Sequence, residues 1–258
     1  AGAGSSRAMG NLAWCYDHGR GVEQDVGEST RWYQKGAEAG DIRSMCDYGI
    51  HLIRGAEKEL QVQEGVRWLQ RSEEQGYPYA VFVLGWCCET GTGLPQDWSK
   101  AVEYYRRAAE LGEASAMKSL GLCYENGTGV GKDRVQAAKW YEKAAEAGSV
   151  SALCLLGFCY KDGAGVPKDE AHAARLFRQS AELGDPDAMC TLGWCYEAGC
   201  GVPQDWTLAA DWYRQSAEAG CGRAMGNLAW CYEQGKGVEQ VLEQARSWFA
   251  RGAQAGDK

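Results

Sequence analysis

Apolar residues recur along the chain at helical spacing, in short segments that glycine-rich stretches separate. In residues 116–124, apolar residues follow Ala116 at four, seven and eight positions, which places all of them on one face of an α-helix. A second segment, residues 137–145, has the same kind of apolar face. Gly127 and Gly148 follow the two segments, and glycine readily adopts the conformations that end helices. The pattern predicts a helical hairpin.

The hairpin pattern repeats every 36 residues without an insertion or deletion. Glycine recurs at this step in every repeat, at Gly40, Gly76, Gly112, Gly148, Gly184, Gly220 and Gly256. Seven units therefore begin at residues 8, 44, 80, 116, 152, 188 and 224. Stacked hairpins bury one another's apolar faces, so we predict an all-α fold, an α–α superhelix (solenoid) of seven 36-residue hairpins. The array is expected to fill residues 1–258 and to be a segment of a longer protein.

Two features of the loops refine this prediction. An aspartate precedes the second helix in five units and is expected to accept hydrogen bonds from its first-turn amides: Asp25, Asp97, Asp133, Asp169 and Asp205. The second unit is degenerate, because it has lost this aspartate and the second loop glycine. Its turn is therefore expected to differ from the others.

Composition and charge exclude several classes of function. Hydrophobic residues make up 45% of the chain and charged residues 24%, as in a folded domain. The longest apolar runs, such as residues 80–88, fall far short of the roughly 20 residues that cross a bilayer, so no membrane insertion is expected. The net charge is −8, with acids and bases interspersed. This distribution argues against a nucleic-acid partner.

Twelve cysteines suggest three kinds of chemistry, and six of them share one repeat position: Cys15, Cys87, Cys123, Cys159, Cys195 and Cys231. Helices that pack side by side lie roughly 8–10 Å apart, which exceeds the reach of about 7 Å for a disulfide between equivalent positions. No CxxC pair is present to suggest zinc. Buried thiols are therefore favoured over disulfides and over metal or redox chemistry. Cys200 and Cys221 lie outside this column and are the candidates for exposed, reactive thiols.

Histidine gives little support for catalysis. His18, His51 and His172 occupy three different repeat positions, so the sequence does not place them near a common point. For His51 a structural role is favoured over a functional one. We therefore expect a protein that is not an enzyme and that uses no cofactor and no metal.

The segment LGLCYENGTGVGKDRVQAAKWYEKAAEAG, residues 120–148, resembles the Sel-one-like repeat family, a relative of the tetratricopeptide repeats. The resemblance covers the whole chain and implies a right-handed superhelix that acts as an adaptor for other proteins. In a secreted branch of the family, a cysteine late in one hairpin pairs with one early in the next. Here Ala108 and Ala116 occupy such positions, as do Ala144 and Ala152. The absence of that pattern favours a reducing cytoplasm.

The variable position of the first helix is apolar in every unit: Trp14, Ile50, Trp86, Leu122, Phe158, Trp194 and Trp230. Arg7 and Asn11, like Arg223 and Asn227, stand three or seven residues before such a position and add polar groups to the same face. In related solenoids the first helices line the concave side. Buried tryptophan and arginine dominate many binding sites. The candidate partner-binding residues are Arg7, Asn11, Trp14, Trp86, Phe158, Trp194, Arg223, Asn227 and Trp230.

The favoured function is a non-enzymatic scaffold or adaptor that binds a peptide or protein segment on the concave face. An equally simple interpretation of the aromatic column is that its rings pack between adjacent first helices. Trp98 and Trp206, which open second helices, form another candidate pair. The alternatives are binding of a small ligand, such as a carbohydrate or a β-lactam, and a purely structural spacer.

Overall fold

The computed structural model of the protein describes residues 3–256, with side chains from residue 5 onward. Over this range the secondary structure consists of fourteen α-helices and contains no β-strand. The predicted all-α helical repeat is confirmed. The chain divides after Lys132 into two compact units, residues 1–132 and 133–258.

Unit 1 contains three helical hairpins and the first helix of a fourth. Each helix packs against the helix that precedes it in the chain. Most of the helices are 13 residues long, or about 20 Å. Their bounds are α1 Ala3–His18, α2 Val26–Glu38, α3 Ile42–Arg54, α4 Glu59–Glu74, α5 Pro78–Thr90, α6 Trp98–Glu110 and α7 Ala114–Asn126.

Unit 2 contains one second helix followed by three complete hairpins, again with packing between sequence neighbours. Its core is built largely from alanine, cysteine, leucine and aromatic side chains, and Phe177, Tyr213 and Leu228 are fully buried there. The bounds are α8 Arg134–Glu146, α9 Val150–Asp162, α10 Glu170–Glu182, α11 Pro186–Ala198, α12 Trp206–Glu218, α13 Gly222–Gln234 and α14 Leu242–Gly256.

The predicted aspartate caps are confirmed at all five positions. The Asp205 carboxylate, for example, accepts hydrogen bonds from the backbone N–H groups of Thr207 at 2.9 Å and Leu208 at 3.0 Å. These N–H groups have no partner within the helix, so the carboxylate satisfies donors that would otherwise need water.

The second hairpin departs from this arrangement, as its degenerate sequence predicted. The repeat places the start of α4 36 residues before Trp98, at residue 62, yet α4 begins at Glu59. Lys58 precedes it and provides no side-chain cap. The Gln61 side chain instead accepts hydrogen bonds from the backbone N–H groups of Glu57 at 2.9 Å and Lys58 at 3.2 Å. Without the aspartate and the loop glycine, the helix extends by about one turn.

Two repeated glycines allow close packing. Gly193, on α11, faces the buried ring of Tyr213, and a Cβ atom there would lie 2.7 Å from the ring carbon Cε1. Gly201, in the following loop, has φ 71° and touches the preceding hairpin at the backbone of Glu170. A side chain at Gly201 would be opposed both by the positive φ angle and by the contact with the Glu170 backbone.

The twelve cysteines are present as thiols. Nine are buried, and Cys15, Cys200 and Cys221 are half-buried. Burial raises the pKa of the Cys195 thiol to about 12 and that of Cys231 to about 11, so both are neutral at pH 7. The prediction of buried thiols is confirmed for the column except at the half-buried Cys15.

Candidate functional site

A cleft of about 240 Å³ opens between the first helices α9, α11 and α13 of unit 2. It brings together four of the nine predicted site residues, from three successive repeats. We call it the unit-2 cleft, and its lining residues are Phe158, Lys161, Cys190, Thr191, Trp194, Arg223 and Asn227.

Lys161 is the lining residue that the sequence reasoning missed. Its Nζ atom lies 5.4 Å from the ring centroid of Phe158 and 5.1 Å from that of Trp194, within cation–π distance of both. It also lies 3.2 Å from the Oδ1 atom of the exposed Asp162. The side chain therefore places a positive charge over two aromatic rings that line the cleft.

A comparison with other hairpins explains why Lys161 is available. At the same repeat position Glu89 and Glu197 accept hydrogen bonds from Tyr105 and Tyr213 of their own hairpins, the second at 2.5 Å. In the hairpin of α9 and α10, Lys161 occupies the repeat position of the glutamate and Phe177 occupies that of the tyrosine. Because a phenyl ring has no hydroxyl group to donate, this internal pair is lost. The departure from the repeat was the sequence signal that could have identified Lys161.

The other edge of the cleft is polar. The Asn227 amide donates to the Cys190 sulfur at 3.7 Å, and burial raises the pKa of the Cys190 thiol to about 11, so the sulfur is uncharged. The guanidinium group of Arg223 lies 3.8 Å from the Asp187 carboxylate, with 59% of its side chain exposed. The sequence analysis placed Arg223 and Asn227 beside Trp230 of their own helix, whereas this cleft groups them with Phe158 of α9 and Trp194 of α11.

Three tryptophans of the predicted column are exposed. Trp86 is 40% exposed, and Trp194 and Trp230 are each 39% exposed. Such exposure does not favour the interpretation that these indoles serve only as core packing. Trp14 is half-buried and stacks on His18 at a centroid distance of 4.5 Å.

Trp230 lies outside the lining of the unit-2 cleft. Its ring packs against that of Trp206 at a centroid distance of 5.6 Å, and Lys236 Nζ lies 5.4 Å from the Trp206 centroid. The second candidate pair of the sequence, Trp98 and Trp206, is half-buried at the first position of α6 and α12. Trp206 thus contributes to a surface indole pair with Trp230.

Arg7 and Asn11 line a groove of unit 1 that Trp14 does not line. This groove of about 540 Å³ also contains Arg43 and Asp47, whose Nε and Oδ2 atoms are 3.6 Å apart. The aromatic ring that these polar residues were expected to flank is therefore not part of the lining of this groove.

Trp86 lines a second cleft, of about 210 Å³, between α3 and α5 of unit 1. Six of its seven lining residues are aliphatic or aromatic, whereas the lining of the unit-2 cleft includes Lys161, Thr191, Arg223 and Asn227. We call it the unit-1 cleft, and its lining residues are Ile50, Ile53, Arg54, Tyr79, Phe82, Val83 and Trp86.

His51 is held by polar groups from two other helices. Its Nε2 atom is 3.5 Å from Asp17 Oδ1, and its Nδ1 atom is 3.0 Å from Thr30 Oγ1. Burial lowers the pKa of His51, against the opposing effect of Asp17. Because Thr30 donates its hydroxyl hydrogen to the Val26 carbonyl at 2.7 Å, its oxygen is the acceptor in the contact with His51, and Nδ1–H is the donor. The arrangement is that of a structural histidine.

The part of the chain with described side chains contains no group of three His, Cys, Asp or Glu residues placed to hold a metal ion. Over the same part, no helix is both long and apolar enough to cross a membrane.

Comparison with known proteins identifies the repeat. The family model of the Sel1 repeat matches residues 6–41, 42–77, 78–113, 114–149, 150–185, 186–221 and 222–257. No curated protein sequence matches the chain.

Solved structures agree with the family match. A protective antigen of uropathogenic Escherichia coli with an SLR fold is 32% identical, with a TM-score of 0.78 over 98% of this chain and 54% of that one. A Sel1 repeat protein from Oxalobacter formigenes is 29% identical, with a TM-score of 0.77 over 97% of this chain and 72% of that one. This chain thus spans about half the length of the E. coli antigen.

An immunity protein from Pseudomonas aeruginosa is 18% identical, with a TM-score of 0.57 over 84% of this chain and 82% of that one, and shares the fold alone. Sel1 repeat proteins are generally scaffolds for protein interactions. The seven consecutive matches cover nearly every residue, so the chain belongs to the Sel1 repeat family.

Proposed function

We propose that the chain is a non-enzymatic scaffold that binds a peptide or protein segment along its first helices, with the unit-2 cleft as one binding site. The observation that supports this proposal is the convergence of Phe158, Trp194, Arg223 and Asn227 from three successive repeats. Exposed aromatic rings beside a guanidinium group are the residue types that contribute most to protein interfaces.

The size of the unit-2 cleft favours a peptide over a small-molecule ligand. Sites for small molecules and cofactors commonly enclose about 300–1,000 Å³. The cleft measures about 240 Å³ and is open to solvent, so it suits one side chain of a larger partner. Affinity would then come from several contacts along the surface.

The polar groups indicate what the bound segment presents. Lys161 and Arg223 carry positive charge, and Asn227 adds an amide that can donate to a carbonyl or carboxylate oxygen. An acidic side chain beside an apolar one would pair with the cations and cover the rings. Since Asp162 and Asp187 lie close to the two cations, such a ligand would compete with existing ion pairs.

A capture experiment tests the scaffold role. The Trp194→Ala/Arg223→Ala variant removes one exposed ring and one exposed cation from the cleft. The control variant Leu208→Ala/Arg246→Ala removes an exposed apolar side chain and an exposed cation elsewhere in unit 2. Proteins captured by the immobilised chains would be quantified by mass spectrometry. We expect the cleft variant to lose its specific partners by about tenfold or more while its circular dichroism and the control stay unchanged.

Equal capture by the cleft variant and the wild type would contradict this site. The small-ligand alternative predicts a different result, because sugars and β-lactams would bind against exposed indoles. We expect titration with monosaccharides and with a β-lactam to leave the tryptophan fluorescence unchanged. Saturable quenching would favour the small-ligand alternative over the scaffold.

A further inference from the structure

The two clefts occupy the same position in the repeat, 108 residues apart. Five lining positions correspond in this register: Ile50 with Phe158, Ile53 with Lys161, Phe82 with Cys190, Val83 with Thr191, and Trp86 with Trp194. Both clefts therefore use the same geometry, with a tryptophan from the later helix and an apolar residue from the earlier one. The residues between these two differ in chemistry.

The unit-1 cleft owes its apolar character to the degenerate second hairpin. In the next hairpin, Glu89 accepts a hydrogen bond from Tyr105. The second hairpin has Ile53 at the repeat position of this glutamate and Leu69 at that of the tyrosine. Leu69 is fully buried, whereas Ile53 is half-buried and lines the cleft. The exchange replaces an internal hydrogen bond with an apolar side chain that faces the opening.

The wall of the unit-1 cleft is fixed by ring contacts. Phe82 packs against Tyr79 and against the buried Tyr105, each at a centroid distance of 5.7 Å. Tyr105 is 1% exposed and also donates a hydrogen bond to Glu89, so it anchors Phe82 from below. The cavity is thus preformed, which reduces the entropy that a ligand must lose on binding.

Arg54 supplies the charge at the edge of the unit-1 cleft. It is exposed, and no carboxylate lies within salt-bridge distance of it among the residues whose side chains are described. A guanidinium group in this setting is complementary to a carboxylate, which it can bind through two hydrogen bonds.

From this geometry we propose that the unit-1 cleft is a second binding site, which accepts one bulky apolar side chain of a peptide whose adjacent acidic residue pairs with Arg54. The volume of about 210 Å³ is small for a cofactor and suits a side chain such as leucine or phenylalanine. The proposal rests on the scaffold role only in that its ligand is also a peptide. It uses none of the residues of the unit-2 cleft.

Fluorescence anisotropy with three labelled peptides tests the proposal on the full chain. The probes are fluorescein-labelled Gly-Ser-Leu-Asp-Ser-Gly and two versions in which Ala replaces Leu or Asn replaces Asp. We expect the Leu-Asp peptide to bind about tenfold or more tightly than the Ala-Asp peptide, because only leucine fills the apolar cavity. The Asn version should bind several-fold more weakly than the Leu-Asp peptide.

Three variants of the unit-1 cleft and one control variant locate the binding. Ile53→Lys, which introduces the residue of the unit-2 cleft, and Trp86→Ala, at an exposed position, should each weaken binding of the Leu-Asp peptide about tenfold. Arg54→Ala should remove the preference for Asp over Asn. Lys161→Ile changes only the unit-2 cleft and should leave the affinity unchanged. Unchanged binding in Trp86→Ala with helical circular dichroism retained, or equal affinity of the wild type for the Leu and Ala peptides, would overturn the proposal.

Failure here and failure of the scaffold role have different signatures. If the unit-1 cleft were not a peptide site, the partners captured through Trp194 and Arg223 would still be lost only in the unit-2 variant. If the chain were not a scaffold, neither cleft variant would change what it captures.

Discussion

At the scale of single residues, Asp47 on α3 has the clearest conflict between burial and charge. Burial raises the pKa of its carboxyl group to about 6, against the lowering effect of Arg43 3.6 Å away. An aspartate in an unfolded chain has a pKa of about 3.9. Between these values the folded state holds a proton that the unfolded state has released. The acid form therefore favours folding at low pH, and this contribution is lost as the pH rises from about 4 to about 6.

Replacing Asp47 with asparagine should remove this pH dependence. Because asparagine resembles the protonated acid and cannot ionise, we expect Asp47→Asn to match the wild type near pH 4. At pH 7 the variant should be more stable by about 1–2 kcal/mol. Urea unfolding of both proteins at the two pH values measures the difference, with the exposed Asp162→Asn as the control. A stability difference that is the same at pH 4 and pH 7 would show that Asp47 titrates normally.

Single residues are also where sequence reasoning was least complete. The column containing Trp86, Trp194 and Trp230 could be identified because the repeat aligns it, and its exposure agrees with a surface role. Lys161 was missed because its importance depends on Phe177 in another helix, which cannot donate the hydrogen bond that a tyrosine would. The contact of His51 with Asp17 was missed for a similar reason, since it joins two repeats at different positions.

At the scale of helices and loops, the local rules of the sequence were sufficient for most boundaries. The capping aspartates and loop glycines are short-range signals, and they placed the start of α6, α10 and α12 correctly. The early start of α4 could not be predicted from the register. It depends on the Gln61 side chain, which satisfies two backbone donors in place of the missing aspartate.

The two kinds of loop glycine should respond differently to substitution. Gly201 and Gly220 both have positive φ, 71° and 97°. A Cβ at Gly220 would meet nothing within 4 Å, whereas one at Gly201 would collide with the backbone of Glu170 in the preceding hairpin. We expect Gly220→Ala to cost about 1–2 kcal/mol from conformational strain alone.

Gly201→Ala should cost at least about 1–2 kcal/mol more than Gly220→Ala, because neighbouring hairpins must also move apart. Chemical denaturation of the two variants compares the losses directly. Equal destabilisation would mean that the contact between hairpins adjusts without cost and that only the conformation of the glycine matters.

At the scale of the whole chain, stability should be local. Within each unit, the helices pack chiefly against their neighbours in sequence, so a core substitution has few routes by which to affect distant helices. Leu84 and Leu228 occupy the same repeat position, in unit 1 and unit 2, and both are fully buried. They form a matched pair for testing this property.

Leu228→Ala should destabilise its surroundings by about 2–4 kcal/mol through the lost apolar contacts and the cavity left behind. In native-state hydrogen exchange we expect the largest loss of amide protection in α12, α13 and α14, with a smaller loss toward α9. Leu84→Ala should produce the corresponding pattern around α4, α5 and α6. A uniform loss of protection in every helix would instead indicate one cooperative unit.

The exchange of Glu and Tyr for Lys161 and Phe177 has an evolutionary consequence. The two positions are 16 residues apart in one hairpin, and in the hairpins of Tyr105 and Tyr213 the residues at these positions form a hydrogen bond with each other. Changing both residues together removes a hydrogen bond within one hairpin, while the length of the hairpin and its glycines are preserved. Gene duplication followed by such paired changes can therefore give each copy its own ligand preference, so that new specificities arise by altering one hairpin at a time.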